Sequence, residues 1–488
     1  MHENALPSFM AKIWIGGSIL VFLILAAPSC RQAPADEPTF AAEPRVTIDL
    51  EDIRKRGYIE ALVDNTSVSY FIYKGGPMGY EYELLKRLAD YLKVDLKIKI
   101  ISGIEEAFDL LNKGQGDILA FPLTVTTDRQ HYAAFTNTFF NTWQVLVQKK
   151  PANWRMQPPQ VVEKKLIRNP VQLIGKEIYV IKGSSFKKRL ENLSQEIGGL
   201  IIIREDSAQA ETESLIRKVA TGEIKYTVTD QTLAMVNYLY YPNLDINTVV
   251  SLPQQIAWAM RKNSPKLLEA TNEWLGQIKK TALFQVIFNK YFDSPRSSLV
   301  RVSSDYSSLG GNKLSPFDDQ IKEGAKTLGW DWRLLSSVVY QESNFDPKVE
   351  SWVGAIGLMQ VMPVTGKHFG FNDLWDPNQN ILAGVRFLKY LDKQWAYTVI
   401  DPNERLKFVL ASYNVGHSHV LDARNLAKKY GKNPVKWNGE VEYMLLGKSN
   451  PKYYRDPVVV SGYCRCDGPV SYVKDVLERF EEYKVHIN

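Results

Sequence analysis

The sequence predicts a multidomain chain, with a two-lobed α/β region over 46–292 followed by an all-α region over 314–488. Three observations carry this. Up to Phe292, short β-rich runs alternate with amphipathic stretches, the pattern of helices covering largely parallel sheets. After Phe317 strand signals nearly vanish. Between the two, the segment from Asp293, DSPRSSLVRVSSDYSSLGGNKLSP, is rich in Ser and Gly with no long apolar period, so 293–313 reads as a linker. The 488 residues suit two or three domains. Hydrophobic residues at 45% and charged residues at 23% are globular averages, which argues against disorder, collagen and coiled coil. A net charge of +6, spread thinly, gives no nucleic-acid footprint. A basic surface rich in aromatic residues would suit an acidic or sugar-containing polymer.

The N-terminus sets the compartment. After Lys12, the run IWIGGSILVFLILAAP is apolar from Ile13 to Pro28 and shorter than the roughly 20 residues that span a bilayer. One positive residue, an apolar core and small residues before a cut site make residues 1–30 a secretory signal. Ala27-Pro28-Ser29-Cys30 resembles a bacterial lipobox without its usual leucine. That resemblance implies lipidation of Cys30 and an outer-membrane anchor facing the periplasm. An ordinary signal with an incidental cysteine is the alternative. Residues 31–45 read as a Pro- and Ala-rich tether. Three cysteines rule out a disulfide framework. Cys464 and Cys466 are too closely spaced for an easy disulfide and lack the second pair of a zinc site. They are expected as two small packed residues, and no metal or other cofactor is expected anywhere in the chain.

In the α/β region, IEALVDN, LKIKII, ILAFPL, WQVLVQK, EIYVIKG, IIIRED, YTVTD and IAWAM read as strands. YEYELLKRLADYLK, IEEAFDLLNKG, SSFKKRLENLS and AETESLIRKVATG place apolar residues at helical spacing. Two such sets, Val46–Asn141 and Ile174–Asp230, suggest two lobes. Gly183-Ser184-Ser185 at a helix start offers free N–H groups and the positive dipole end to an anion. Arg129, ending a hydroxyl-rich loop, could clamp a carboxylate through two parallel hydrogen bonds.

On these residues, and most specifically from Gly116 to Phe135, the region resembles the family-three extracellular solute-binding proteins, which bind amino acids. The resemblance implies a periplasmic-binding-protein-like fold. It implies that Arg129 and Thr124 hold the ligand's α-carboxylate, with donors from Ser184 and Ser185, and that Asp230 receives the α-amino group. Asp64 stands where a further polar contact occurs, and Tyr70 and Phe71 where an aromatic wall is expected. Pro122 replaces a hydroxyl of the family. A surface salt bridge is the alternative for Arg129, a helix cap for Asp230, and core packing for Tyr70 and Phe71.

In the C-terminal region, FDDQIKEGAKTLG, DWRLLSSVVYQES, NILAGVRFLKYLDKQW, ERLKFVLASYN, SHVLDARNLAKKY and SYVKDVLERFEEYK are helical by period, several behind Asp or Ser caps. Glu342 follows Val338, Val339 and Tyr340 directly, at the end of an apolar helix where partial burial would raise its pKa and suit a general acid.

Glu342-Ser343, Gly357-Leu358-Met359-Gln360, Ser412-Tyr413-Asn414-Val415-Gly416 and Tyr472-Val473 resemble, in order and spacing, the motifs of the soluble-Slt-type lytic transglycosylases. Ser412 stands where alanine is usual, and the Glu-Thr pair common before the last motif is missing. The resemblance implies a lysozyme-like fold and cleavage between N-acetylmuramic acid and N-acetylglucosamine in peptidoglycan. It gives Glu342 the catalytic role, and to Ser343, Gln360, Met362, Tyr413, Asn414 and Tyr472 contacts with the substrate. Core filling is the alternative for Met362, and a helix-ending turn for Tyr413 and Asn414. The implied whole is an exported enzyme acting on glycan strands, with a module that senses an amino acid or muropeptide. A transport receptor with a helical appendage and an inactive wall-binding scaffold are the competing readings.

Overall fold

The structure is a computed structural model describing residues 43–101, 103–207, 212–294 and 300–487. The expected signal segment, its Cys30 and nearly all of the expected tether lie outside these residues. Among the described residues, no helix is long and apolar enough to cross a membrane.

The α/β module has two sheets. In the first lobe the order is Asp95–Ile100, Tyr58–Val63, Ile118–Thr124, Gln254–Met260 and Ala134–Phe135, with Phe140–Thr142 also on Gln254–Met260. The first three strands are parallel, and Gln254–Met260 runs antiparallel to its partners. In the second lobe the order is Ile202–Asp206, Glu177–Ile181, Tyr226–Asp230, Gln144–Lys149 and Leu244–Val249. Here Gln144–Lys149 is the antiparallel strand. Each sheet thus keeps the expected parallel strands and adds antiparallel ones, because the chain changes lobe twice. It leaves the first lobe between Phe140–Thr142 and Gln144–Lys149, and it returns between Leu244–Val249 and Gln254–Met260. The two crossings are tied by the Val250 amide donating to the Gln144 carbonyl (2.9 Å) and the Gln144 amide donating to Ser251 Oγ (2.8 Å).

The helical module starts at Asp318–Leu328 and ends at Asp467–His486. Local sequence sets its helix starts. Asp331, Asp376 and Asp401 accept the amides of Arg333, Gln379 and Asn403, and Pro377 and Pro402 occupy first turns where a missing N–H costs nothing. Strand content is confined to bridges between Ile356 and both Glu350 and Val361. Cys464 and Cys466 correct the sequence expectation, because they form a disulfide. The loop before the last helix brings their Cα atoms to 5.3 Å, within disulfide range despite one intervening residue.

One apolar core runs without a break from the first lobe (Ile59, Leu85, Trp258) into the helical module (Leu335, Val409, Val476), whereas the second lobe has cores of its own. The seam is built by a hairpin, Phe71–Tyr73 and Gly76–Met78, which sequence reasoning missed because its strands are three residues long. Its turn carries Lys74 and Gly75 at φ 49° and 77°. A Cβ on Gly75 would lie 2.4 Å from the Phe345 ring and 2.8 Å from Tyr340, so glycine is required sterically as well as conformationally. Tyr483 donates its hydroxyl to the Gly75 carbonyl at 2.7 Å. Lys474 pairs with Asp95 across the same seam. The far end of the expected linker packs on the hairpin, with the Lys74 amide donating to Tyr306 and the Ser308 amide to Ile72.

Candidate active site and ligand cleft

Glu342 lies in the last turn of the Trp332–Ser343 helix. The helix stops there because Asn344 and Phe345 both take left-handed conformations, at φ 51° and 61°. Phe345 at positive φ is strained, and its burial against Tyr340, with ring centroids 5.8 Å apart, helps hold it there. The Tyr472 hydroxyl donates to Glu342 Oε1 at 2.6 Å. Burial raises the Glu342 carboxyl to about 7, and the Tyr472 hydrogen bond opposes part of that rise. No second carboxylate contributes to its ionisation among the described residues.

The Gly357–Gln360 turn faces this carboxyl through Tyr413, whose hydroxyl donates to the Met359 carbonyl at 2.7 Å. Burial, and then the charge of Glu342, push the Tyr413 phenol well above its ordinary value, so it stays protonated beside the acid. The turn is braced by Asn380, which sequence reasoning missed. Its Oδ1 accepts the Met359 amide (2.8 Å), and its Nδ2 donates to the Ile356 and Leu374 carbonyls (2.7 and 2.8 Å). A lone Asn in the first turn of a helix carries no signal of this role. Gln360, at φ 47°, spends its amide on the Val349 and Gly357 carbonyls.

Ser343 is buried, and its hydroxyl donates to the Leu358 carbonyl at 2.8 Å. It ties the Glu342 helix to the turn, where a substrate contact was expected; the hydroxyl points into the protein because the helix axis turns it away from Glu342. Met362 and Asn414 are exposed beside the turn and at the end of the Pro402–Val415 helix. Ser412, the departure from alanine, accepts the indole N–H of Trp395 at 2.9 Å inside the core.

The second site is a cavity of about 360 Å³ between the lobes. Asp64, Thr124, Arg129, Ser184, Ser185 and Asp230 all line it, so six of the residues proposed from sequence come together. Arg129 Nη1 donates to the Thr124 carbonyl at 2.9 Å, and burial lowers the guanidinium to about 10 against the opposing charge of Asp230. Asp230 is raised by burial to about 7, with Arg129 opposing. Its side chain makes no helix-capping bond, although it precedes the Gln231–Tyr240 helix. Ser185 Oγ reaches Thr124 Oγ1 across the cleft at 3.4 Å, and Ser67 donates its amide to Glu213 Oε2 at 3.3 Å, so the lobes are latched at two points.

Tyr70 and Phe71 correct the expectation of an aromatic wall. Both are fully buried and neither lines the cavity. Tyr70 instead packs edge-on to Tyr82 and lies 5.2 Å from the ring of His486, because the hairpin that follows it turns toward the helical module. Val485 and His486, by contrast, line the cavity from the last helix. Nothing in the sequence could have placed them there, some 250 residues or more from the other lining residues.

Family models match both modules. Residues 59–294 match the bacterial extracellular solute-binding proteins, family 3, and residues 319–436 match the transglycosylase SLT domain. Among solved structures, an ancestral arginine-binding protein bound to arginine is 22% identical, covering 49% of this chain and 99% of that one at a TM-score of 0.41. Among curated sequences, the membrane-bound lytic murein transglycosylase F of Desulfosudis oleivorans is 34% identical over 433 residues, covering 88% of this chain and 91% of that one. The protein of the same name from Pseudomonas putida is 31% identical over 434 residues, covering 88% and 86%. Two modules in the same order, matched nearly end to end at this identity, place the chain in the membrane-bound lytic murein transglycosylase F family.

Proposed function

We propose that the protein cleaves the β-1,4 bond between N-acetylmuramic acid and N-acetylglucosamine without water, leaving 1,6-anhydro-muramyl ends. The observation that carries this is a single carboxyl, Glu342, raised to about 7 and held by the Tyr472 hydroxyl. A glycosidase that uses water or a carboxylate nucleophile needs a second carboxyl within about 5–9.5 Å of the first. One carboxyl suffices when the sugar supplies the nucleophile. Glu342 gives its proton to the glycosidic oxygen as the bond to C1 breaks. The resulting carboxylate then takes the proton of the muramyl C6 hydroxyl as that oxygen bonds to C1, which returns Glu342 to its acid form. A group poised near neutrality serves both steps. Tyr472 orients Glu342 and favours its carboxylate; Tyr413 stays neutral beside it. In this reading Gln360, Met362 and Asn414 line the path of the sugar acetamido group, and Ser343 positions the helix.

The cleft reads as a sensor for an amino acid or a muropeptide, with Arg129, Thr124, Ser184 and Ser185 toward a carboxylate and Asp230 toward an ammonium group. The pairing of buried opposite charges across one cavity supports it. The sequence supports export to the cell envelope by residues 1–30 and lipidation at Cys30, which would hold the protein on the outer membrane facing the periplasm. Purified sacculi incubated with the parent chain should release soluble fragments, and with Glu342→Gln should release none while still binding it. Equal release by the two would refute the assignment of Glu342.

A further inference from the structure

The ligand cleft draws on a third element besides the two lobes. The Asp467–His486 helix begins beside the active site, where Tyr472 holds Glu342, and its last turn reaches the cavity between the lobes. His486 lines that cavity, is only 9% exposed, and rests its ring on Tyr70 at 5.2 Å. Its Nε2 has no hydrogen-bond partner among the described residues. A buried ring nitrogen left so is costly, and buried polar atoms in folded proteins nearly always have a partner. Four further polar atoms of cavity-lining residues share this condition, namely Asp230 Oδ1, Ser184 Oγ, Thr229 Oγ1 and Asn65 Oδ1. Asp230 and Ser184 suit the charged ends of a zwitterion. His486 enters from a different element and is left for another part of the ligand.

We infer that His486 is a ligand-binding residue of the cleft, hydrogen-bonding through Nε2 to a polar side-chain group of an amino-acid zwitterion whose charged ends lie on Arg129 and Asp230. This rests on the cleft being the ligand site and adds to it a specificity contact from the helical module. Burial lowers the imidazole to about 4, so the ring is neutral at physiological pH and offers one acceptor and one donor without a charge. The side chain it suits is therefore an uncharged amide or hydroxyl, in preference to an apolar group of the same size.

The twenty common L-amino acids, added singly to the full chain, test this by calorimetric titration. The parent should bind at least one with a polar side chain, and prefer glutamine to methionine or threonine to valine. Arg129→Ala should abolish that binding. His486→Ala should weaken it about tenfold and erase the polar preference, and His486→Asn should restore part of both. Ring nitrogen resonances of the parent labelled at its six histidines give a measure that needs no stable variant. One Nε2 signal should move on adding the bound amino acid. Binding lost in Arg129→Ala but unchanged in His486→Ala, with every ring signal stationary, would overturn the inference and leave the cleft reading standing. No binding of any of the twenty by the parent would overturn the inference and leave the cleft reading with a muropeptide as its ligand.

Discussion

Glu342 owes its chemistry to neighbours that each do something different. The apolar run Val338-Val339-Tyr340 buries the turn it sits on, Tyr472 takes one carboxylate oxygen, and Ser343 locks the backbone behind it. Because burial raises the carboxyl to about 7, and the acid form starts the reaction, kcat/KM should be level below that pH and fall about tenfold per unit above it. Tyr472→Phe removes a hydrogen bond that favours the carboxylate, so the midpoint of that fall should move to higher pH; a pH–rate profile of fragment release checks both. The same shift bears on stability. A carboxyl raised on folding contributes stability that is present below about pH 4.5 and lost as pH rises through about 7. Glu342→Gln should therefore melt with the parent near pH 4.5 and a few degrees, roughly 2–5 °C, above it at pH 8. Calorimetry at the two pH values would show it. The burial of this residue was legible from the apolar residues before it. The direction of the Ser343 hydroxyl was not, since a residue type carries no record of which way a helix turns it.

Among the elements, the long ones were legible and the short ones were not. Every strand and helix of the α/β region expected from periodicity is present, from Tyr58–Val63 to Gln254–Met260, because each carries enough turns or alternations to show its period. The Phe71–Tyr73 and Gly76–Met78 hairpin has too few residues for any period, and without that turn the sequence leaves Tyr70 between a ligand wall and the core packing that the structure shows. The hairpin joins the two modules, and its tight spot is Gly75. Gly57 offers a control, since it has φ 85° but no atom within 4 Å of an added Cβ. Both Gly→Ala changes strain the backbone, but only Gly75→Ala meets Phe345, Tyr340 and Tyr483. Gly75→Ala should cost about 1–3 kcal/mol more than Gly57→Ala in chemical denaturation followed by tryptophan fluorescence. Equal costs would mean the seam has room that the packing denies.

At the scale of the molecule, the first lobe and the helical module share one core, and the second lobe joins them through two strand crossings and the cleft contacts. The order of the modules was plain from the change in periodicity near Phe292. Their docking was not, since Gly75, Phe345 and Tyr483 come together from positions hundreds of residues apart. The same docking brings His486 to the cleft, on the helix whose Tyr472 holds Glu342 within the helical module. In the proposed reaction one acid side chain acts twice and the sugar attacks itself. Mass spectrometry of fragments released from purified sacculi tests that directly. The account predicts muramyl ends lighter than hydrolysed ones by the mass of one water and resistant to borohydride reduction. Reducing ends at full mass would show that water is the nucleophile and contradict it.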